Sequence, residues 1–293
     1  MTLRAELLLV APDGTLELSV IHAYTYQERL GDLWELIVEV GSDEPDLELI
    51  VLLRGAAELR SEEEAVPLRV KGIVRSVEQL TSEPGGQSRY RISVVPELWV
   101  LAQNRTRRIF QEQDVVVTSV QVLSEAAATR ELQLLPSAMT EAHPAVPHRT
   151  QYDESDYAFL RRIWLEEGFV PVLDRAPDPE SAVGADLPVV RLYDDTTLIP
   201  AEVEVPFQPL AQGAHASHSG LRAVAVERGT VAVPERSSTR DFDFLRPALA
   251  LDGSATRRAG TFRDDMEVFS FGVETPADDL DLRARRQLEA IQH

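Results

Sequence analysis

Short apolar stretches that alternate with polar residues, broken repeatedly by turn signals, constrain the first hundred residues of this chain more than any other feature. Glu6 to Ala11 is an apolar run, and Asp13-Gly14 after it is a strong hairpin signal. Leu16, Leu18 and Val20 then alternate with polar partners, the period expected of a half-buried strand. Leu33 to Val40 and Leu47 to Leu53 are two further strand candidates. Val66 to Val77 is a longer one, with Gly72 marking a bulge or a close backbone approach. Glu83-Pro84-Gly85-Gly86 reads as a turn, and Tyr90, Ile92 and Val94 leave it in period two. Many short strands separated by turns predict a barrel or a sandwich. The charge run Glu62-Glu63-Glu64 between them reads as a solvated loop.

Beyond this region the pattern is mixed. Asp114 is placed to cap a helix over Val116 to Ser124, although its valines lose rotamer freedom in a helix. A stronger helix spans Asp156 to Glu167. Asp153 or Ser155 can cap it, Leu160, Ile163 and Trp164 form its apolar i, i+3, i+4 stripe, and Gly168 stops it. Phe169 to Leu173 follows as a strand. Asp174 to Asp186 and Gln208 to Gly220 read as loops, whereas Leu187 to Tyr193, Glu202 to Val205 and Leu221 to Val233 carry strand character. From Asp278 onward the chain reads as a helix with acids at its start and arginines in its body, an order that suits the helix dipole.

Composition narrows the function. Across 293 residues, 49 acids face 29 lysines and arginines, a formal charge of -20. Nucleic acid binding relies on neutralising phosphates, so it is not expected; anionic membrane surfaces are disfavoured by the same repulsion. With no cysteine in the chain, disulfides and thiolate metal sites are excluded. The apolar run Leu7 to Val10 is too short for a signal-peptide core, and no stretch approaches the roughly 20 apolar residues that span a bilayer.

The sequence shows no phosphate-binding loop, H-E-x-x-H, G-x-S-x-G or EF-hand pattern. His215 and His218 lie in a loop bounded by Gly213 and Gly220, a context that favours a mobile segment over a metal site. His143 and His148 flank Pro144 and Pro147; they either approach a shared ligand or belong to a proline-braced linker. The pairs Asp194-Asp195, Asp264-Asp265 and Asp278-Asp279 have the chemistry of glycoside hydrolysis, yet in so acidic a chain solvated turns explain them. Trp34, Trp99 and Trp164 sit in apolar segments and read as core residues.

Three blocks in order resemble VgrG-type spike proteins of type VI secretion systems. The first runs through Gly72-Ile73-Val74, Tyr90-Arg91-Ile92, Pro96-Glu97-Leu98-Trp99-Val100-Leu101 and Arg108-Ile109-Phe110-Gln111. The second is Gln151-Tyr152-Asp153-Glu154-Ser155-Asp156 with Phe159-Leu160 and Glu166-Glu167-Gly168. The third is Arg240-Asp241-Phe242-Asp243-Phe244-Leu245-Arg246-Pro247. Phe269-Ser270-Phe271-Gly272 matches that family's later aromatic-glycine segment only in part.

The resemblance implies a mainly β, α+β, phage tail-hub-like fold: two related β-barrel domains with a mixed α/β segment. The expected divisions are 1-100 for the first barrel, 101-186 for the mixed segment, and 187-293 for the second barrel and a C-terminal helix leading towards an OB-fold and spike that this chain lacks. It further implies a structural hub and no enzyme: a homotrimer joining a hexameric inner-tube protein to a membrane-puncturing spike, in company with baseplate proteins and effector cargo. Such a protein is assembled in the bacterial cytoplasm and ejected without a signal peptide. No catalytic, cofactor or metal residues are expected. The expected structural anchors are Trp99 and Phe110 at the junction of barrel and α/β segment, and Leu160, Ile163 and Trp164 under the main helix. A monomeric adaptor for effectors and, less favoured, a cell-wall glycan hydrolase are the alternatives.

Overall fold

The computed structural model describes residues 5–11, 14–18, 20–43, 49–61, 68–81, 88–126, 133–173, 189–200, 207, 223, 225–243, 245–256, 266–271 and 280–292. The chain forms two compact units that are discontinuous in sequence. Unit 1 comprises Met1–Trp99, Val172–Val190 and Pro200–Arg228; unit 2 comprises Val100–Pro171, Arg191–Ile199 and Gly229–His293.

Unit 1 is built on one sheet. Its elements are β1 (Ala5–Ala11), β2 (Gly14–Leu18), β3 (Val20–Gln27), β4 (Glu35–Ser42), the helical turn α1 (Leu49–Leu52), β5 (Ala56–Ser61), β6 (Leu68–Thr81) and β7 (Ser88–Val95). The seven strands pair in the order β2-β1-β5-β6-β7-β4-β3, every ladder antiparallel. Period-two alternation sends Leu7, Leu9, Leu36, Val38, Val40, Leu59, Val70, Ile92 and Val94 to one buried face. The register puts Leu7 opposite Leu59, Leu59 opposite Val70, and Val38 opposite Ile92, so these side chains meet as cross-strand pairs. The other face carries charge: Arg91 reaches Glu39 at 2.8 Å and Glu78 at 3.5 Å, and Arg75 reaches Glu35 at 2.6 Å. Among the described residues β2 and β3 are the two edges of this sheet.

Gly72 is a close-approach site. A Cβ there would overlap both the Val95 carbonyl oxygen and the Trp34 ring, so the glycine lets buried Trp34 lie flat against β6. The β6–β7 ladder does shift register, but at Val74/Ser76 and Gln79/Thr81, away from the glycine. The strand expected over Leu47 to Leu53 is replaced, in its described part, by α1. Leu52 turns inward while Ile50 stays exposed, and the chain then reverses through Arg54 at φ 63° into Gly55, where a Cβ would strike the Val10 carbonyl. Hydrogen bonds Arg54 N to Val74 O (2.8 Å) and Val74 N to Gly55 O (2.9 Å) start the pairing with β6.

After a 3-10 turn over Glu97–Ala102, the chain continues through β8 (Arg105–Gln113), α2 (Val115–Ala126), β9 (Gln133–Ala138), β10 (Val146–Ser155), α3 (Asp156–Glu166), β11 (Val170–Leu173), β12 (Val189–Tyr193), β13 (Arg236–Asp241), β14 (Leu251–Thr256), β15 (Glu267–Phe271) and α4 (Leu280–Gln292). β8 and β10 form a two-stranded ribbon; a three-stranded sheet has the order β11-β12-β9, another β14-β13-β15. In the last, β13 pairs antiparallel with β14 and parallel with β15.

Within unit 2, local chemistry sets the helix ends. The Asp114 carboxylate accepts from Val117 N at 2.8 Å and caps α2. Of the valines of α2, Val115 and Val122 are buried, which offsets their lost rotamer freedom, while Val117 and Val120 stay exposed. Ser155 caps α3, accepting from Ala158 N at 3.1 Å. At the other end of α3, Phe169 N donates to Trp164 O (2.8 Å) and Gly168 N to Leu165 O (3.1 Å), a Schellman closure with Gly168 at φ 79°. The two helices are joined by Trp164 Nε1 donating to Ser119 Oγ at 2.8 Å.

Leu221 to Val233 was expected to alternate as a strand. Its described part is irregular beyond the single bridge of Ala223 to Phe207, and Val226 and Val231 are exposed. Its alternating positions are mostly alanines, too small to hold a strand by burial. Glu62-Glu63-Glu64, the Glu83 to Gly86 turn, the two loops around residues 174–186 and 208–220, and Glu202 to Val205 lie outside the described residues.

Candidate functional site

Unit 2 contains two buried polar clusters, one at each end of α3. At the start, Asp156 is buried, and its Oδ1 accepts from Thr106 Oγ1 (2.9 Å), from Gln151 Nε2 (2.9 Å) and from Arg108 Nη2. Arg108 also donates to Gln151 Oε1 (3.0 Å) and to Glu125 at 2.5 Å. Charge-assisted bonds of this kind fix orientation as well as adding energy. One acid thus ties β8, β10 and α3 together, and Arg108 brings in the last turn of α2. Phe110 on β8 is buried beside this knot and stacks on Phe159 of α3 at 5.4 Å.

The second cluster is larger. Glu166 and Glu167 end α3, where the helix dipole disfavours negative charge. Glu167 is buried and answered by cations. Its Oε1 receives Arg149 Nη2 at 2.5 Å, and its Oε2 receives Arg286 Nη1 at 2.9 Å and faces His143 Nδ1 at 3.2 Å. Arg283 stands 3.9 Å away. Burial pushes the Glu167 carboxyl up, but the His143 hydrogen bond and the charges of Arg149, Arg283 and Arg286 outweigh it and hold it below the ordinary glutamate value.

The other ring nitrogen of His143 faces Asp194 Oδ2 at 3.4 Å. Asp194 also accepts from Thr140 N, Thr140 Oγ1 and Glu141 N at 2.7–3.1 Å. Its burial raises the carboxyl, and those donors together lower it below the ordinary aspartate value. Phe169 stacks on the His143 ring at 4.3 Å. Arg286 and Arg285 of α4 both reach Glu141. Charged and polar side chains from β10, from α4, from the stretch Thr140–His143 and from Asp194 therefore converge on one helix end and fasten α4 to it.

Chemically this is a fastening. Both oxygens of Glu167 are engaged by donors, and arginines occupy the approach to them, which leaves no coordination position for a cation; among the described residues no group of three or more potential ligands forms a metal site. Asp194 and Asp195 do separate jobs: Asp194 holds Thr140, Glu141 and His143, and Asp195 caps a 3-10 turn by accepting from Thr197 N at 2.9 Å. His148 lies on β10, apart from the carboxylates that hold His143. His215, His218, Asp264-Asp265 and Asp278-Asp279 lie outside the described residues. Of the anchor residues, Leu160, Ile163, Trp164 and Phe110 are buried in unit 2, while Trp99 is half-buried in unit 1.

The surface of unit 2 carries its own feature. One face of the β14-β13-β15 sheet packs on α4: Ser237, Thr239 and Gly253 point that way, Ser237 Oγ donates to Gln287 at 2.8 Å, and a Cβ on Gly253 would overlap the backbone of Leu280. The opposite face of β15 presents Phe269 (59% exposed) and Phe271 (64% exposed), and Phe242, just past β13, is 57% exposed, with Leu245 beyond it. Large aromatics in water on one face of an edge strand mark an interaction surface. Among the described residues no helix is long and apolar enough to cross a membrane, which says nothing of strands.

Comparison with known proteins agrees with this architecture. The family described as phage tail baseplate hub (GPD) matches residues 27–293. The type VI secretion system spike protein VgrG5 of Pseudomonas aeruginosa is 28% identical over 259 residues, covering 85% of this chain and 30% of that protein. VgrG1b of the same organism is 25% identical over 299 residues, covering 100% of this chain and 38% of the relative. The chain therefore spans about a third of the length of these relatives. Among solved structures, the c3393 protein of Escherichia coli, described as a type VI secretion component similar to phage T4 tail proteins, aligns with a TM-score of 0.55 at 20% identity over 66% of this chain and 50% of that one.

Proposed function

Because this chain belongs to the phage tail baseplate hub family and is a relative of VgrG-type spike proteins, we propose that it serves as the structural hub of a contractile injection machine. In this reading three copies form a ring. The seven-stranded sheet of unit 1, open at β2 and β3 among the described residues, stands in the place of the first of two related barrels, and the later part of the chain in the place of the second. The ring joins a hexameric inner tube to a spike and travels with effector cargo when the particle is ejected. Its role is architectural, with no chemistry of its own.

The observation that carries this reading is the exposed phenylalanine face of β15. A chain of charge -20 is strongly solvated, and self-repulsion opposes its association. It keeps Phe269 and Phe271 in water on one face of β15, with Phe242 exposed just past β13. Burying such a face against another subunit regains apolar transfer energy, which a hub assembled from several copies requires. The buried clusters at both ends of α3 support the same role, because they make unit 2 a stiff platform.

The test is solution mass by light scattering across a dilution series. The expected mass is three times the 32.6 kDa of one chain, with binding to a hexameric tube protein as the next measurement. A monomer at every concentration, also when Phe269 and Phe271 are intact, would move the reading to a monomeric effector adaptor.

A further inference from the structure

His143 lies in the cluster at the end of α3 with a carboxylate on either side of its ring. Its side chain is 1% exposed. Nδ1 faces Glu167 Oε2 at 3.2 Å, Nε2 faces Asp194 Oδ2 at 3.4 Å, and Phe169 stacks on the ring. A neutral imidazole has one N–H and one bare nitrogen. In either tautomer the bare nitrogen would turn an acceptor on a carboxylate oxygen inside a buried site, where unmatched polar groups are costly. Only a ring with protons on both nitrogens donates to both acids.

The acids do not supply those protons. Glu167 and Asp194 are each held below their ordinary carboxyl values by their donors, so both are ionised at neutral pH. The surrounding charge acts the other way. Arg149 comes from β10, and Arg283, Arg285 and Arg286 come from α4. They are matched by Glu167 and Glu166 at the end of α3 and by Glu141 on the histidine's own stretch. With Asp194 these acids and arginines balance one for one before the ring is counted. The second ring proton is therefore held by two direct contacts and opposed by burial and by the arginines. A proton held in such a balance can be given up as pH rises.

Its loss would reach α4 through the stretch Thr140–His143. Glu141 takes Arg285 and Arg286, and the Ala142 carbonyl accepts from Arg286 Nη2 at 3.1 Å. Asp194 holds the same stretch through Thr140 N and Glu141 N. His143 ties the end of this seat to Glu167, which itself receives Arg286 at 2.9 Å. Without one ring proton, one of the two acids meets a lone pair, and the seat that receives α4 is loosened.

We propose that His143 is a proton-gated latch: protonated on both ring nitrogens, it binds Glu167 and Asp194 together and seats α4, and the loss of one proton releases that seat. The sign follows from where the contacts exist. The doubly protonated ring meets two carboxylates only in the folded chain, so its contribution is present at lower pH and lost as pH rises. Glu167 and Asp194, being depressed, lose theirs as pH falls. The seat of α4 is thus bounded by a titration on each side. The latch does not depend on the hub reading.

The test uses the full chain. Hydrogen exchange in α4, corrected for the intrinsic rate at each pH, is followed from about pH 6 to about pH 9, either side of the range in which a histidine changes charge. Protection of α4 is expected to fall at least about tenfold, the effect of losing a charge-assisted bond, while β4 of unit 1 keeps its protection. His143→Gln, which can donate to one acid only, is expected to show the low protection at both pH values. Should that variant not fold, the ring is read directly. A chain in which every other histidine is replaced by Gln gives the nitrogen-15 spectrum of His143 alone, with both nitrogens protonated at about pH 6 and one bare at about pH 9. A ring with a bare nitrogen at the lower pH, or with two protons at the higher, overturns the proposal. So does α4 protection that ignores pH, falls equally with that of β4, or keeps its pH dependence in His143→Gln.

Discussion

Unit 1 and unit 2 solve the problem of cohesion in opposite ways. Unit 1 buries an almost purely apolar face, Leu7, Leu9, Leu36, Val38, Val40, Leu59 and Ile92 among others, and leaves its ion pairs outside. Unit 2 brings its charges inside: Asp156 and Glu167, with Arg108, Arg149, His143 and Arg286 around them, fasten strands and helices that share less continuous sheet. A seven-stranded sheet positions its own side chains through register. Short helices and three-stranded sheets do not, so direction-specific bonds replace register. Apolar burial is forgiving of small shifts, whereas charge-assisted bonds hold one geometry. The difference therefore separates a unit built for stability from one built for fixed shape.

That contrast can be broken by experiment. The largest effect should come from Glu167→Ala, which strands Arg149 and Arg286 in a buried site. We expect a loss of about 3–5 kcal/mol confined to unit 2, read by denaturant unfolding with Trp164 fluorescence. A loss below about 1 kcal/mol would mean the cluster is not what holds the unit.

Acid should separate the units next. Glu167 and Asp194 both titrate below their ordinary values. Depressed carboxyls contribute stability that is fully present above the unfolded values near about 4, and that is lost as pH falls through the folded values. Unit 2 should then lose structure before unit 1. The check is to follow Trp164 in a Trp34→Phe/Trp99→Phe background against far-ultraviolet strand signal; simultaneous loss would erase the distinction. Gly72→Ala should cost about 1–3 kcal/mol by overpacking against the Val95 carbonyl and the Trp34 ring, and among the three tryptophans Trp34 should report it. Arg60→Ala, which breaks half-exposed pairs with Glu58 and Glu6, should change stability by less than about 1 kcal/mol. A larger change would show that the outer ion pairs of unit 1 are also structural.

The apolar unit was the legible one. Alternation located β2 and β7, and apolar runs bounded by turn signals located β1, β4 and β6, because both patterns are written directly into side-chain order. Gly72, a glycine inside a strand pattern, was readable as a bulge or a close approach, and it is the second. The helices of unit 2 were readable from Ser155, Asp114 and Gly168, which act on their own neighbours. The ion clusters were not, since Glu167 and Arg286 are 119 residues apart and no local pattern links them. One signal did exist: two successive acids at a helix C-terminus oppose the dipole and call for cations from elsewhere. The register shift between Gln151 and Glu154 of β10 was equally hidden, because no local pattern announces that Gln151 and Asp156 both reach Arg108. Leu47 to Leu53 misled because an apolar run without alternation fits a helical turn as well as a strand.

The fastening of α4 has a mechanical meaning. The helix is attached at intervals along its length: Leu280 against Gly253, Asp281 to Ser254 N at 2.8 Å, Arg283 to Glu166 at 3.2 Å, Arg286 to Glu167, and Gln287 to Ser237. A pull along the helix axis loads these attachments together, in shear, and a shear load must overcome them all at once. Peeling from one end would break them singly at far lower force. Tension delivered along α4 would thus pass sideways into α3 and β14, shared among all of these attachments and not carried by any one of them.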